Sequence, residues 1–359
     1  MTRIWKHRLF WPIASLLGLI VINSVARPQF LSITMRDGEL YGALINILRN
    51  SAPLMLVALG MTIVIATRGI DLSVGAVMAV SGAVALTVID NAADPDNLGT
   101  VLGAVGLAVL VSLALGAWNG FLVAVLGIQP IIATLVLMLA GRGVALLITG
   151  GFITTVNSAP FSYIASGYLT VLPFAFFISV AAITLIALVE RRTALGVLTE
   201  AVGINPEASR LAGVRARGII WGAYIVSGVL AGVAGVIYAS NIRAADANAA
   251  GLFIELYAIL AVVLGGTSLM GGKFSIAGTV VGVLIIQTLE STILFLGVPS
   301  AQSPVFFAIV VVIVVMLQSS RVRRGFARLA RLRQRRAPDG GPPPDVDPDL
   351  EPKRTEVAA

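Results

Sequence analysis

Few side chains inside the long apolar runs of this 359-residue chain can do chemistry. Arg142, Glu255 and Glu290 are the ionisable groups that interrupt such runs. Charges in hydrocarbon are costly, so each is a functional candidate. Arg142 stands between Gly141 and Gly143, which admit close neighbours, and it reads equally as a structural hydrogen-bond hub or as a cavity-lining group. Glu255 and Glu290 lie near the ends of their runs, where they can reach the outer interface and be solvated. Asn119, Gln129 and Gln287 can bond a polar solute or another helix. The turn Arg68-Gly69-Ile70-Asp71-Leu72-Ser73-Val74-Gly75 offers two readings. Asp71 or Ser73 can cap the helix that follows, or the broken backbone can line a solute route, because irregular chain at membrane depth needs protein or water around it. The pathway candidates are therefore Asp71, Ser73, Asn119, Gln129, Arg142 and Gln287.

The same inventory excludes much. There is no cysteine, and the single histidine, His7, lies in the N-terminal tail. Thiolate metal sites, a His-ligated metal centre and a Ser-His-Asp triad within the membrane are all ruled out, so no catalytic residue and no metal site is assigned. Residues 265–273, GGTSLMGGK, superficially suggest a phosphate-binding loop. Thr267 occupies its first glycine position, and Phe274 stands where Ser or Thr would bind magnesium. The segment reads instead as a tight cytoplasmic turn, and no nucleotide is expected on this chain.

What must position these residues is set by composition. Hydrophobic residues make up 57% and 37 glycines add to them, against about 45–50% for soluble domains with glycine included. Charged residues make up 12% and mean hydropathy is +0.95. Such a chain is an all-α, polytopic integral membrane protein. Ten apolar runs approach the length of about 20 residues that a spanning helix needs. They cover 9–26, 50–67, 72–89, 99–118 (with an extension to 126 possible), 131–149, 171–189, 218–240, 252–270, 276–296 and 304–318. With both termini inside, twenty of the 25 basic residues face the cytoplasm, and Arg27, Arg36, Arg49 and Arg243 fall outside. The net charge of +7 follows this orientation pattern, and no nucleic-acid partner is expected.

Three domains result: a transmembrane region 1–318, a basic juxtamembrane segment 319–337 and a tail 338–359. Eight arginines between 321 and 336 interleave with Val322, Phe326, Leu329 and Leu332, a spacing that lays one face on anionic lipid headgroups. From Pro338 onward proline and acidic residues leave little to bury, which predicts a disordered cytoplasmic tail. Small residues four apart, Gly116/Gly120, Gly228/Gly232 and Gly278/Gly282, predict close helix packing.

The most distinctive hydrophilic stretch is the loop 190–217. Asn205-Pro206-Glu207 predicts an N-cap with proline in the first turn and a short helix through Leu211, ended at Gly213. Its mixed charge and exposed Ala-Leu face suit docking to a soluble partner.

Three segments in order resemble a known family. GIDLSVGAVMA at 69–79, EAVGINPEASRLAGV at 200–214 and LAVVLGGTSLMGGKFSIAGT at 260–279 are similar to the permease subunits of bacterial sugar ATP-binding-cassette importers, the ribose, xylose, arabinose and autoinducer-2 group. DGELYG at 37–42, IQPIIATLVLMLAGRGVA at 128–145 and IRAADANAAGLFIELYAILAVV at 242–263 most resemble the galactofuranose permeases. The arginine- and proline-rich tail after Gln318 departs from that pattern. The resemblance implies a monosaccharide pathway in the bacterial inner membrane, shared with a second permease, identical or paralogous. It implies cytoplasmic ATPase subunits that bind ATP and magnesium, and an extracytoplasmic sugar-binding protein. It also implies that 200–214 is the segment seated in an ATPase cleft, through Glu200, Gly203, Asn205, Pro206, Glu207, Ala208, Leu211 and Gly213. The other reading of the residues is an ion-coupled secondary transporter of a small polar solute, for which Glu290 and Asp71 are the available acids.

Overall fold

In the computed structural model the described residues are 9–297 together with Val305, Ala308, Ile309, Val312 and Met316. The juxtamembrane segment, the tail and most of the tenth apolar run lie outside them. Twelve α-helices occur among the described residues: α1 (Phe10–Ala26), α2 (Ala43–Ala66), α3 (Val74–Asp90), α4 (Leu98–Ala124), α5 (Pro130–Ile148), α6 (Ala159–Ser166), α7 (Phe174–Arg192), α8 (Leu195–Ile204), α9 (Pro206–Leu211), α10 (Ala216–Ile242), α11 (Ile254–Leu264) and α12 (Ile276–Phe295). Three short antiparallel pairs join loops: β1 (Thr34–Arg36) with β2 (Glu39–Tyr41), β3 (Thr154–Thr155) with β6 (Ala244–Ala245), and β4 (Tyr168–Leu169) with β5 (Leu172–Pro173). The first hairpin turns on Asp37-Gly38, both at positive φ, as a two-residue turn of the favoured twist requires.

Nine of the ten predicted runs lie within the continuous described stretch 9–297, and each of them carries a helix. Six of these (α2, α4, α5, α7, α10, α12) are long and apolar enough to cross a membrane by length and composition. α1 and α3 have 17 residues each. The eighth run departs most from expectation: α11 has only 11 residues, because the chain leaves the helix at Gly265 and Gly266 takes φ +87°. α2 begins seven residues earlier than the apolar run does, so Arg49 and Asn50 lie inside a helix.

Burial sorts the helices into two shells. α7 has 11% of its most apolar window buried and α4 22%, while α2 has 72%. A helix that is apolar all round yet mostly uncovered belongs in hydrocarbon. The inner shell holds α2, α3, α10, α11 and α12. Its interior is built from residues such as Leu56, Met61, Ile65, Met78, Ile237, Ile285 and Ile286, all below 3% exposed.

The paired glycines pack as their spacing predicts. A Cβ on Gly228 would stand 2.7 Å from the Cα of Gly116, and one on Gly116 would stand 2.6 Å from the carbonyl oxygen of Tyr224, so α4 and α10 touch backbone to backbone. Gly278 and Gly282 bring α12 equally close to Gly265 and Ala261 of the α11 segment. Lipid removes the hydrophobic drive between helices, and this proximity supplies dispersion contacts in its place.

Candidate functional site

The inner shell, together with Ala165 of α6 and Ala175 of α7, lines an open cavity of about 370 Å³. It is reached from the end of the bundle where α2 starts and α10 and α12 finish. α2 contributes Arg49 and Asn50, α10 Tyr238 and Asn241, α11 Tyr257, and α12 Gln287, Glu290 and Ser291. Gln287 donates to the carboxylate of its neighbour Glu290 at 3.1 Å. The Nε of Arg49 is buried with no hydrogen-bond partner among the described residues. The walls thus present amide, carboxylate, hydroxyl and guanidinium groups together with two tyrosine rings whose bodies are apolar and whose tips are polar.

One wall is not helical. Ala249, Gly251 and Leu252 belong to the connection between α10 and α11, which enters the bundle between the helices. Gly251 takes φ +62°, and a Cβ there would lie 2.9 Å from the Cα of Gly75 at the start of α3. Carbonyls of irregular chain at this depth need donors. Arg142, mid-way along α5, supplies them. One guanidinium nitrogen donates to the carbonyl oxygens of Ala247 at 2.8 Å, Ala250 at 2.5 Å and Asn248 at 3.4 Å. Arg142 therefore supports the wall from behind and does not line the cavity. Glu255, expected to be solvated, is 5% exposed and lies against Gly75, because α11 starts inside the bundle and not at its surface.

Asp71, Ser73 and Asn119 meet one another, at a place separate from the cavity. Asp71 Oδ1 accepts from the Ser73 hydroxyl at 2.6 Å and from the Ser73 backbone N–H at 3.1 Å. Asp71 Oδ2 accepts from the Ser227 hydroxyl of α10 at 2.8 Å, and Asn119 of α4 donates to Ser73 Oγ at 2.8 Å. All four are at most 2% exposed. The expected cap differs in form: Asp71 bonds the residue before α3 and a distant helix, and Ser73 makes no side-chain cap bond to α3. The α2–α3 break is thereby tied to α4 and α10. Gln129, the last pathway candidate, sits exposed at the N-cap of α5, outside the cavity lining. Gln287 alone of the six lines it.

Arg49, Asn50, Asn241, Tyr238 and Tyr257 escaped sequence reasoning as site residues. Their one local signal is polarity within a few turns of a helix end, which interfacial anchors share.

At the opposite end of α2, the hydrophilic loop forms two helices. α8 is an addition to the expected single short helix. α9 has the expected boundaries: Asn205 Oδ1 accepts from the backbone of Glu207 at 3.1 Å and of Ala208 at 3.0 Å, and Gly213 takes φ +85° beyond its end. Glu207 and Arg210 pair at 2.5 Å, and the guanidinium holds the Glu207 carboxyl below the usual carboxylate range. Pro206, at the first turn of α9, is half-buried, and Asn205, Glu207, Ala208 and Leu211 are exposed, whereas Gly203 is buried.

Long apolar helices around a cavity lined by polar and apolar side chains are the build of a multi-pass membrane protein. Residues 43–315 match the family described as branched-chain amino acid transport system / permease component, and the chain belongs to that family. It is 48% identical over 323 residues to the galactofuranose transporter permease of Escherichia coli K12, covering 88% of this chain and 92% of that protein. A fructose import permease of Bifidobacterium longum is 41% identical, with 93% and 94% covered. A ribose import permease of Escherichia coli K12 is 36% identical, with 86% and 92% covered. No solved structure matches.

Proposed function

We propose that this chain is the membrane-spanning subunit of an ATP-driven importer for a neutral monosaccharide, galactofuranose or a related pentose or hexose. The observation that carries the reading is the 48% identity to a galactofuranose permease over nearly the whole length of both chains. The cavity supports it. Its 370 Å³ falls near the lower end of the roughly 300–1,000 Å³ typical of small-molecule sites. Amide and carboxylate groups on three helices can exchange hydrogen bonds with ring hydroxyls, and Tyr238 and Tyr257 offer faces to the sugar's C–H surface.

The chain resides in the bacterial inner membrane with both termini cytoplasmic and about ten spans. A second permease completes the pathway, cytoplasmic ATPase subunits seat on α9, and an extracytoplasmic binding protein delivers sugar at the cavity end. ATP and magnesium act on the ATPase. The permease itself has no energy source, so nucleotide must bind its outward-open and inward-open states with different affinity to drive the switch.

Uptake of labelled D-galactofuranose, D-fructose and D-ribose by cells with and without this permease tests the reading. One sugar is expected to enter in an ATP-dependent manner, and to keep entering when a protonophore is added with cellular ATP maintained. Glu290→Leu is expected to lower that uptake at least about ten-fold with membrane abundance unchanged, since it removes a charge-bearing acceptor from the cavity wall. Collapse of uptake under the protonophore would instead establish the ion-coupled transporter.

A further inference from the structure

α2 closes with a paired-bond turn. The Arg68 N–H bonds the carbonyl of Ile65 at 2.9 Å and the Gly69 N–H bonds that of Val64 at 3.0 Å. Arg68 is the residue that takes the left-handed conformation, at φ +65°. Glycine is the usual occupant of that position because a Cβ is strained there. A strained non-glycine residue points to a task for its side chain.

The Arg68 side chain joins two segments that are remote in sequence. Its Nη2 donates to the carbonyl oxygen of Ile204 at 2.6 Å and its Nε to that of Met270 at 3.1 Å. Ile204 is the last residue of α8 and immediately precedes Asn205, the cap of α9. Met270 lies in the turn between α11 and α12. The guanidinium thus satisfies a carbonyl at the C-terminal end of α8, where positive charge is favoured. Beneath it the backbones interlock. The Gly272 N–H bonds the Ala66 carbonyl at 2.9 Å. A Cβ on Gly203 would stand 2.6 Å from the Gly272 nitrogen, and one on Gly271 would stand 3.0 Å from the Gly203 carbonyl oxygen, so no side chain fits between the three segments.

The segment that leads into α9 is therefore clasped to the end of α2 and to the α11–α12 turn. α2, α11 and α12 are also three of the cavity's walls. We propose that Arg68 is the positioning residue that makes these three segments move as one body, so that displacement of α9 by a cytoplasmic partner reaches the cavity walls. The inference rests on the proposed function for its partner, while the clasp itself is testable without any sugar.

The chain has no native cysteine, so thiols introduced as Ile204→Cys and Met270→Cys are its only ones. Both sites are exposed and leave the bonded carbonyls in place. Spin labels there, in the assembled complex, are expected to keep the same separation with and without ATP. In the same background Arg68→Met keeps the unbranched stem and removes both donors. The label separation is then expected to change between the two states. Sugar imported per ATP hydrolysed, measured in proteoliposomes, is expected to fall about ten-fold with complex assembly retained, within the range typical of coupling between sites. A purely structural role would lower assembly and leave the ratio of transport to hydrolysis unchanged. Should Arg68→Met fail to insert, Arg68→Lys, which retains the charge but not the fork, carries the same two measurements with an intermediate loss. An unchanged ratio together with an unchanged label separation overturns the proposal. If wild-type complex imports no sugar yet the label separation still responds to Arg68→Met, the clasp stands and the sugar assignment falls.

Discussion

Replacing Asp71 separates a structural tie from a solute contact. Its carboxylate accepts three hydrogen bonds, from the Ser73 N–H, the Ser73 hydroxyl and the Ser227 hydroxyl, at 3.1, 2.6 and 2.8 Å. Asp71→Ala removes the acceptor for all three in a place 2% exposed. Each orphaned buried donor costs about 1–3 kcal/mol, and the costs do not add fully because the donors share one acceptor and can partly rotate. A total of about 3–5 kcal/mol is expected, for the same mechanistic reasons that make large single-site losses rare. Asp71→Asn keeps one carbonyl oxygen for Ser73 and turns an amide toward Ser227, whose hydroxyl can accept as well as donate. That variant should lose about 1–2 kcal/mol. The assay is thermal unfolding in detergent, read alongside membrane abundance and uptake at equal abundance. Because detergent unfolding is commonly irreversible, the order of the variants at one scan rate is the measurement. The expected order is wild type, then Asn, then Ala, with uptake per inserted molecule following it. Wild-type melting for Asp71→Ala, or normal melting of Asp71→Asn with uptake abolished, would refute the reasoning. The second result would assign the carboxylate to solute or ion contact.

Arg142→Met removes the donor for three carbonyls of the 247–250 wall, so a loss of about 1.5–3 kcal/mol and a deformed cavity are expected; wild-type uptake and melting would show that the wall holds its shape unaided. On α9, Ala208→Trp and Glu207→Lys are expected to uncouple ATP hydrolysis from uptake with the permease still inserted, since both positions are exposed. Crosslinks to the ATPase should form from Cys at 207, 208 or 211 and not from 209, because Ser209 is 7% exposed and faces inward; a crosslink at 209 alone would reverse the docking face.

The amino-acid sequence alone determined the membrane class, the approximate position of nine helices, the glycine faces on which helices can touch and the complete outline of α9. Each of these follows from local physics. Run length measures hydrocarbon thickness, glycine spacing states where helices can touch, and Asn205, Pro206 and Gly213 act on amides and dihedrals within three residues of themselves. Helix ends inside the protein were less legible: α11 stops early at a glycine and starts inside the bundle, where hydropathy is the same on either side of the boundary. The partners of the polar residues were not legible at all. Asp71 and Ser227 stand 156 positions apart, Arg142 and Ala247 105, and Arg68 and Met270 202. In hydrocarbon every such group must find a partner, which says that Arg142 and Asp71 have one without saying which. Only the packing of α2, α3, α4, α5, α10, α11 and α12 decided that Asp71, Ser73 and Asn119 close a tie, that Arg142 supports a wall, and that Gln287 is left facing the cavity.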